Sequence, residues 1–224
     1  MRGGTSKGIF LREEDLPQDQ KLRDRIILAV FGSPDIRQID GLGGANSQTS
    51  KLAIISAPAI DYCDVNYTFG AVGISESFID YIPNCGNLSS AVGPFAIEAG
   101  LVKPQEPFSE VKILNTNTKK LIICRVPVKG KKVIYDGDYA IAGVPGTGAR
   151  IDVTFMEPGG AATGKLLPTG NVKDEIILDG GEKYIATIVD AGNPAAFILA
   201  KDVGLTGTEL PETFDRDSRI RTKL

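Results

Sequence analysis

The run Asn84-Cys85-Gly86-Asn87-Leu88 sets a thiol among amide and small residues, directly ahead of Ser89-Ser90-Ala91-Val92-Gly93-Pro94-Phe95, which reads as a helix. A cysteine at a helix mouth meets backbone N–H groups with no partner inside the helix, here those of Gly86 and Asn87, and the positive end of the helix dipole. That setting favours both a thiolate and a bound carboxylate, so Cys85 is a candidate proton-transferring base. Gly86 also lets a ligand approach the backbone closely. The rival role, a small buried hydrophobe, fits a turn flanked by Asn and Gly poorly. It is the expected role for Cys63 and Cys124, which sit in strand-like runs.

A second candidate is Lys51. The loop Gly41-Leu42-Gly43-Gly44-Ala45-Asn46-Ser47-Gln48-Thr49-Ser50 runs into the apolar strand Leu52-Ala53-Ile54-Ile55, and the lysine stands at the junction. There it either loses stabilisation of its charged form and serves as a base or acid, or stays charged and pairs with a substrate carboxylate. Snorkelling into solvent is the plain alternative. The chain has no histidine, which removes every Ser-His, Cys-His and imidazole mechanism and the commonest zinc constellations. Proton chemistry must fall to Cys, Lys, Asp, Glu or Tyr, and no metal site is expected. Gly159-Gly160-Ala161-Ala162-Thr163-Gly164-Lys165 has phosphate-loop spacing, but Leu166 stands where magnesium needs Ser or Thr, and Pro168 and Gly170 forbid the helix that should follow. No nucleotide is expected there.

The elements that must position these residues are mostly strands. The 26 glycines and 13 prolines punctuate short β-branched runs at 52–56, 111–114, 120–128, 132–135, 151–156 and 184–189. Helices are expected at 22–30, ended by Gly32-Ser33-Pro34, and at 89–99, ended by Gly100, with Pro94 tolerated in the first turn. The class is therefore α+β, with one helix buried on most sides. Thr5-Ser6-Lys7-Gly8-Ile9-Phe10 and Gly192-Asn193-Pro194-Ala195-Ala196-Phe197 form a faint internal echo, each joining a small-residue turn to an apolar strand. The charged tail, 214–224, reads as a solvated helix or a frayed end.

Composition narrows the partners. A net charge of −3 with scattered basic residues leaves no footprint for nucleic acid. The longest apolar stretches fall well short of the roughly 20 residues that span a bilayer. No membrane segment or secretory signal is expected, which places the protein in the cytoplasm. Asn87-Leu88-Ser89 and Asn66-Tyr67-Thr68 match glycosylation sequons, which such a chain does not use.

Six segments taken in order resemble one family: Met1-Arg2-Gly3-Gly4-Thr5-Ser6-Lys7-Gly8, Gly43-Gly44-Ala45-Asn46-Ser47-Gln48-Thr49-Ser50-Lys51, Asn84 through Pro94, Pro158-Gly159-Gly160, Leu167-Pro168-Thr169-Gly170 and Asp190-Ala191-Gly192-Asn193-Pro194. The family is that of the methylaconitate isomerases of the 2-methylcitrate pathway, with relatives acting on 4-oxalomesaconate and methylitaconate. The resemblance implies a diaminopimelate-epimerase-like fold, in which each of two lobes is a curled, mostly antiparallel sheet around a central helix. It implies Lys51 and Cys85 as catalytic residues. Carboxylates would be held by Thr5, Ser6, Gln48, Thr49 and Ser50 and by the amides around Gly86, Asn87 and Leu88. The implied reaction removes a proton beside a conjugated carboxylate, forms a dienolate and returns a proton, with no cofactor. The implied partner is a small polycarboxylate, and a homodimer is compatible with the reading. A first lobe is expected over 1–185 without its initial strand, followed over 186–224 by the start of a truncated second lobe. Two other functions stay open: an amino-acid racemase or epimerase of the same fold working through two cysteines, and a non-catalytic carboxylate-binding accessory protein.

Overall fold

The structure is a computed structural model of the 224-residue chain and describes residues 1–210, 213, 214, 217 and 218. Most of the expected tail over 214–224 lies outside the described residues. The chain divides into two compact units, 1–157 and 158–224. The expected lobe boundary after residue 185 falls inside a strand of the second unit.

Unit 1 holds β1 (Arg2–Gly3), β2 (Ser6–Arg12), α1 (Gln20–Phe31), β3 (Lys51–Ser56), β4 (Val65–Val72), β5 (Ile79–Asp80), α2 (Gly86–Ser89), α3 (Val92–Glu98), β6 (Phe108–Asn115), β7 (Lys120–Lys129), β8 (Lys132–Val133) and β9 (Asp152–Phe155). One sheet runs β1-β2-β3-β4-β6-β7-β8, with β5 on β4 and β9 on β7. The pairs β2–β3 and β4–β6 are parallel and the other pairs antiparallel, so the expected mostly antiparallel α+β class is borne out.

Strand alternation sorts the core into two layers. Leu52 and Ile54 of β3 join Ile27, Leu28 and Phe31 of α1 on one face. Ala53 and Ile55 join Leu88 of α2 and Val92, Ala96 and Ile97 of α3 on the other. The short helix α2 rests on β1 and β2, while α3 touches β3, β6, β7 and β8. Strands from both ends of the sheet order therefore wrap a central helical segment. No helix among the described residues is long and apolar enough to cross a membrane.

The helix expected at 89–99 is two helices that start earlier. Helical backbone begins at Gly86 and breaks at Ser90-Ala91 before α3. Pro94 supplies the reason: it has no N–H to give the Ser90 carbonyl, and its ring crowds that oxygen. The Ser90 carbonyl accepts from Cys124 Sγ at 3.8 Å instead. Unit 2 is a smaller antiparallel sheet in the order β10 (Asp174–Ile177), β11 (Lys183–Asp190), β12 (Pro194–Ile198).

Candidate active site

Three side chains meet on the central-helix face of the unit 1 sheet. Lys51 Nζ donates to Ser6 Oγ at 3.0 Å and to Cys85 Sγ at 3.3 Å. Ser6 Oγ and Cys85 Sγ are 3.9 Å apart. The register explains the first contact. Gly8 of β2 lies opposite Lys51 of β3 in a parallel pair, and period-2 alternation puts Ser6, Gly8 and Phe10 on the face shared by Lys51, Ala53 and Ile55. Ser6 is buried and Lys51 half-buried.

Cys85 reaches the pair from the start of α2. It is the N-cap, and its sulfur accepts the Leu88 N–H at 3.4 Å. Among the described residues the N–H groups of Gly86 and Asn87 have no hydrogen-bond partner, as the first turn of a helix requires. Glycines bring α2 down onto β1 and β2. A Cβ added at Gly3 would stand 2.6 Å from the Asn87 carbonyl oxygen, and one at Gly8 would stand 2.8 Å from the Lys51 carbonyl oxygen. The Thr5 N–H donates to Asn87 Oδ1 at 3.3 Å, tying the turn after β1 to α2.

Behind the thiol, Asn115 is fully buried and fixes the residue before Cys85, since its Nδ2 donates to Asn84 Oδ1 at 2.9 Å. The hydroxyl of Tyr67, also fully buried, meets no partner at hydrogen-bonding geometry among the described residues. Burial, and secondarily the charge that Cys85 can carry, pushes this phenol well above its ordinary value. A cavity of about 440 Å³ with mixed charged and polar lining lies elsewhere, against α1. Beside the start of α2 opens a smaller one of about 240 Å³, lined by Arg2, Gly4, Gly86, Asn87, Ser90 and Tyr135 among others. Among the described residues no group of three His, Cys, Asp or Glu side chains gathers as a metal site would.

A profile of the family described as PrpF protein matches residues 1–224. The chain belongs to the PrpF family. It is 53% identical over 220 residues to a 3-methylitaconate isomerase of Eubacterium barkeri, covering 98% of this chain and 58% of that protein. It is 48% identical over 224 residues to a 4-oxalomesaconate tautomerase of Pseudomonas putida, covering 100% of this chain and 61% of that one. A crystal structure of methylitaconate-delta-isomerase superposes with a TM-score of 0.75 at 52% identity, over 98% of this chain and 56% of the other. The chain thus spans about three fifths of the length of the curated relatives it matches.

The remaining residues expected from the PrpF-like motifs are distributed unevenly. Gln48, exposed, and Thr49, half-buried, sit in the turn before β3. There the Gln48 N–H and Thr49 Oγ1 both donate to Asn46, to its side-chain and carbonyl oxygens respectively. Ser50 is on the opposite face from Lys51, and its hydroxyl donates to the Val72 carbonyl at 3.0 Å while accepting from Gln38 Nε2 at 2.8 Å. Leu88 offers the sulfur a backbone N–H while its side chain fills the core.

Sequence reasoning missed Gln38, an almost fully buried amide whose Oε1 accepts the Ala45 N–H and whose Nε2 also reaches Ser33. It pins the glycine-rich loop of this PrpF chain that leads to Lys51. Asn115 was missed as well; both are amides with no spacing signal to mark them.

The phosphate-loop look-alike of unit 2 has a different use. Asp190 Oδ2 accepts the Ala162 N–H at 2.8 Å, the Thr163 N–H at 2.7 Å and the Thr163 hydroxyl at 3.0 Å. The donors a phosphate would need are taken by the chain's own carboxylate. Burial pushes the Asp190 carboxyl up, but those hydrogen bonds outweigh it and hold it below its ordinary value.

Proposed function

We propose that this chain carries the catalytic lobe of a cofactor-independent isomerase of small unsaturated polycarboxylates. The 3.3 Å contact between Lys51 Nζ and Cys85 Sγ carries this reading. An amine and a thiol in contact can take a proton from one carbon and deliver one to another without an imidazole. Lys51 is the main base and Cys85 its acid/base partner. Removing a proton beside a conjugated carboxylate builds charge on the carboxylate oxygens. The unpartnered N–H groups of Gly86 and Asn87 are the donors suited to that charge. The relatives' names, 3-methylitaconate isomerase and 4-oxalomesaconate tautomerase, support the substrate class.

A two-cysteine racemase of the same fold would make no use of Lys51, so the amine held 3.3 Å from the Cys85 sulfur favours the isomerase. We place the reaction in the cytoplasm and read the second unit as the start of a further lobe of like design, with the internal echo at Gly192 to Phe197 in support.

Two measurements test the reading. Methylaconitate, oxalomesaconate or methylitaconate should slow alkylation of Cys85 by iodoacetamide, and one of them should take up solvent deuterium in the presence of the chain. Lys51→Met should lower that exchange by roughly a hundredfold or more, the scale of a lost general base. Exchange undiminished in Lys51→Met, or neither protection nor exchange with any of the three acids, would end the assignment.

A further inference from the structure

A thiol with its sulfur 3.3 Å from a primary amine has a reaction open to it that the other two cysteines lack. Cys63 Sγ faces the Ile60 carbonyl and Asn66 Oδ1. Cys124 Sγ faces the Ser90 carbonyl, and burial pushes its thiol up to about 12. Among the described residues neither has an amine as hydrogen-bond partner. Ser6 Oγ, 3.0 Å from Lys51 Nζ, holds the amine over the Cys85 sulfur. Closing the gap to a covalent bond requires only torsions of the flexible lysine stem.

We propose that peroxide converts Lys51 and Cys85 into a reversible sulfur–nitrogen crosslink. First the Cys85 thiol attacks one oxygen of hydrogen peroxide. The O–O bond breaks, an S–O bond forms, the sulfur is oxidised to a sulfenic acid, and the other oxygen leaves as water. Next the Lys51 nitrogen lone pair attacks that sulfur. An S–N bond forms, the S–O bond breaks, and the hydroxyl leaves as a second water with a proton from the nitrogen.

Thiol, amine and peroxide thus give a sulfenamide and two waters, and the protein loses two hydrogen atoms. Sulfenic acids also condense with backbone nitrogen, but an amide lone pair is delocalised into its carbonyl, whereas the Lys51 nitrogen, once its ammonium has given a proton to the sulfenate oxygen, has a localised lone pair at contact distance. An external dithiol reverses the step: its thiolate attacks the sulfur, nitrogen recovers its proton, and the mixed disulfide resolves through the second thiol. The crosslink removes both groups of the proposed proton-transfer pair together and shields Cys85 from further oxidation. Its formation is read by mass, so it stands or falls independently of the isomerase reading.

The experiment treats the reduced chain with hydrogen peroxide and digests it without reduction. The expected product is a joined peptide pair linking Lys51 to Cys85, lighter by two hydrogens than its parts, and separated again by dithiothreitol. In Lys51→Arg the charge is kept, the joined pair should vanish, and Cys85 should collect oxygens instead. The proposal is overturned if the wild-type chain adds oxygen at Cys85 with no joined pair. It is equally overturned if the two-hydrogen loss persists in Lys51→Arg, which would mark a backbone sulfenamide or a disulfide. Should Lys51→Arg fail to fold, the wild-type digest alone decides, because the joined peptides name their residues.

Discussion

Gly8 does more for the proposed site than its missing side chain suggests. An added Cβ would stand 2.8 Å from the Lys51 carbonyl oxygen and 2.9 Å from the Leu88 side chain. The oxygen belongs to β3 and cannot give way, so Gly8→Ala should cost about 1–3 kcal/mol, in the range of overpacked cores. The urea midpoint should fall, and Cys85 should react faster with iodoacetamide as α2 lifts from β2. An unchanged midpoint would show that α2 tolerates the shift. At this scale Cys85 stood out as a thiol in an Asn-Gly turn, whereas Lys51 at its loop–strand junction read first as a snorkelling surface lysine and became a candidate through the resemblance. Ser6 came from the resemblance alone. The turning away of Ser50 was readable in principle, since one step back along a strand reverses the face. Gln38 and Asn115 were not readable, because a buried amide announces itself only through partners that the fold brings together.

Among the elements, α1 rests on well-marked ends. The Asp19 side chain accepts the Leu22 N–H at 2.8 Å, and Gly32 closes the helix in the left-handed region. Asp19→Ala should cost about 1 kcal/mol by the usual worth of an N-cap, seen as a lower urea midpoint with the Lys51–Cys85 chemistry intact. The split of the central helix was not legible. Pro94 is compatible with a first turn, and nothing local says that helical backbone begins at Gly86 and then breaks. The most buried strand, β4, escaped notice because Asn66, Thr68 and Gly70 interrupt its apolar run. Tertiary partners make the interruption harmless: Asn66 Nδ2 donates to the Ala57 carbonyl at 2.6 Å and to Ser56 Oγ at 3.2 Å.

At the scale of the whole molecule, the two units should answer differently to acid. In unit 2, Asp190 is held below its ordinary value of 3.8 when folded. Its ionised form is therefore favoured by folding, and the stability it lends is present above that value and lost as pH falls through the lower, folded one. The urea midpoint of unit 2 should drop on acidification below about pH 4, and Asp190→Asn should flatten that dependence. An unaltered acid limb in the variant would assign it to other carboxylates.

The site's three members lie far apart along the chain: 45 residues separate Ser6 from Lys51, and 34 separate Lys51 from Cys85. Neither contact can form within a local hairpin or a single helix. The first waits for a parallel strand pair to close over the long excursion through α1, a slow, non-local event in a folding chain. The reactive pair therefore depends on long-range closure of the chain, and a molecule that lacks that closure carries the residues without the proximity that gives them their chemistry.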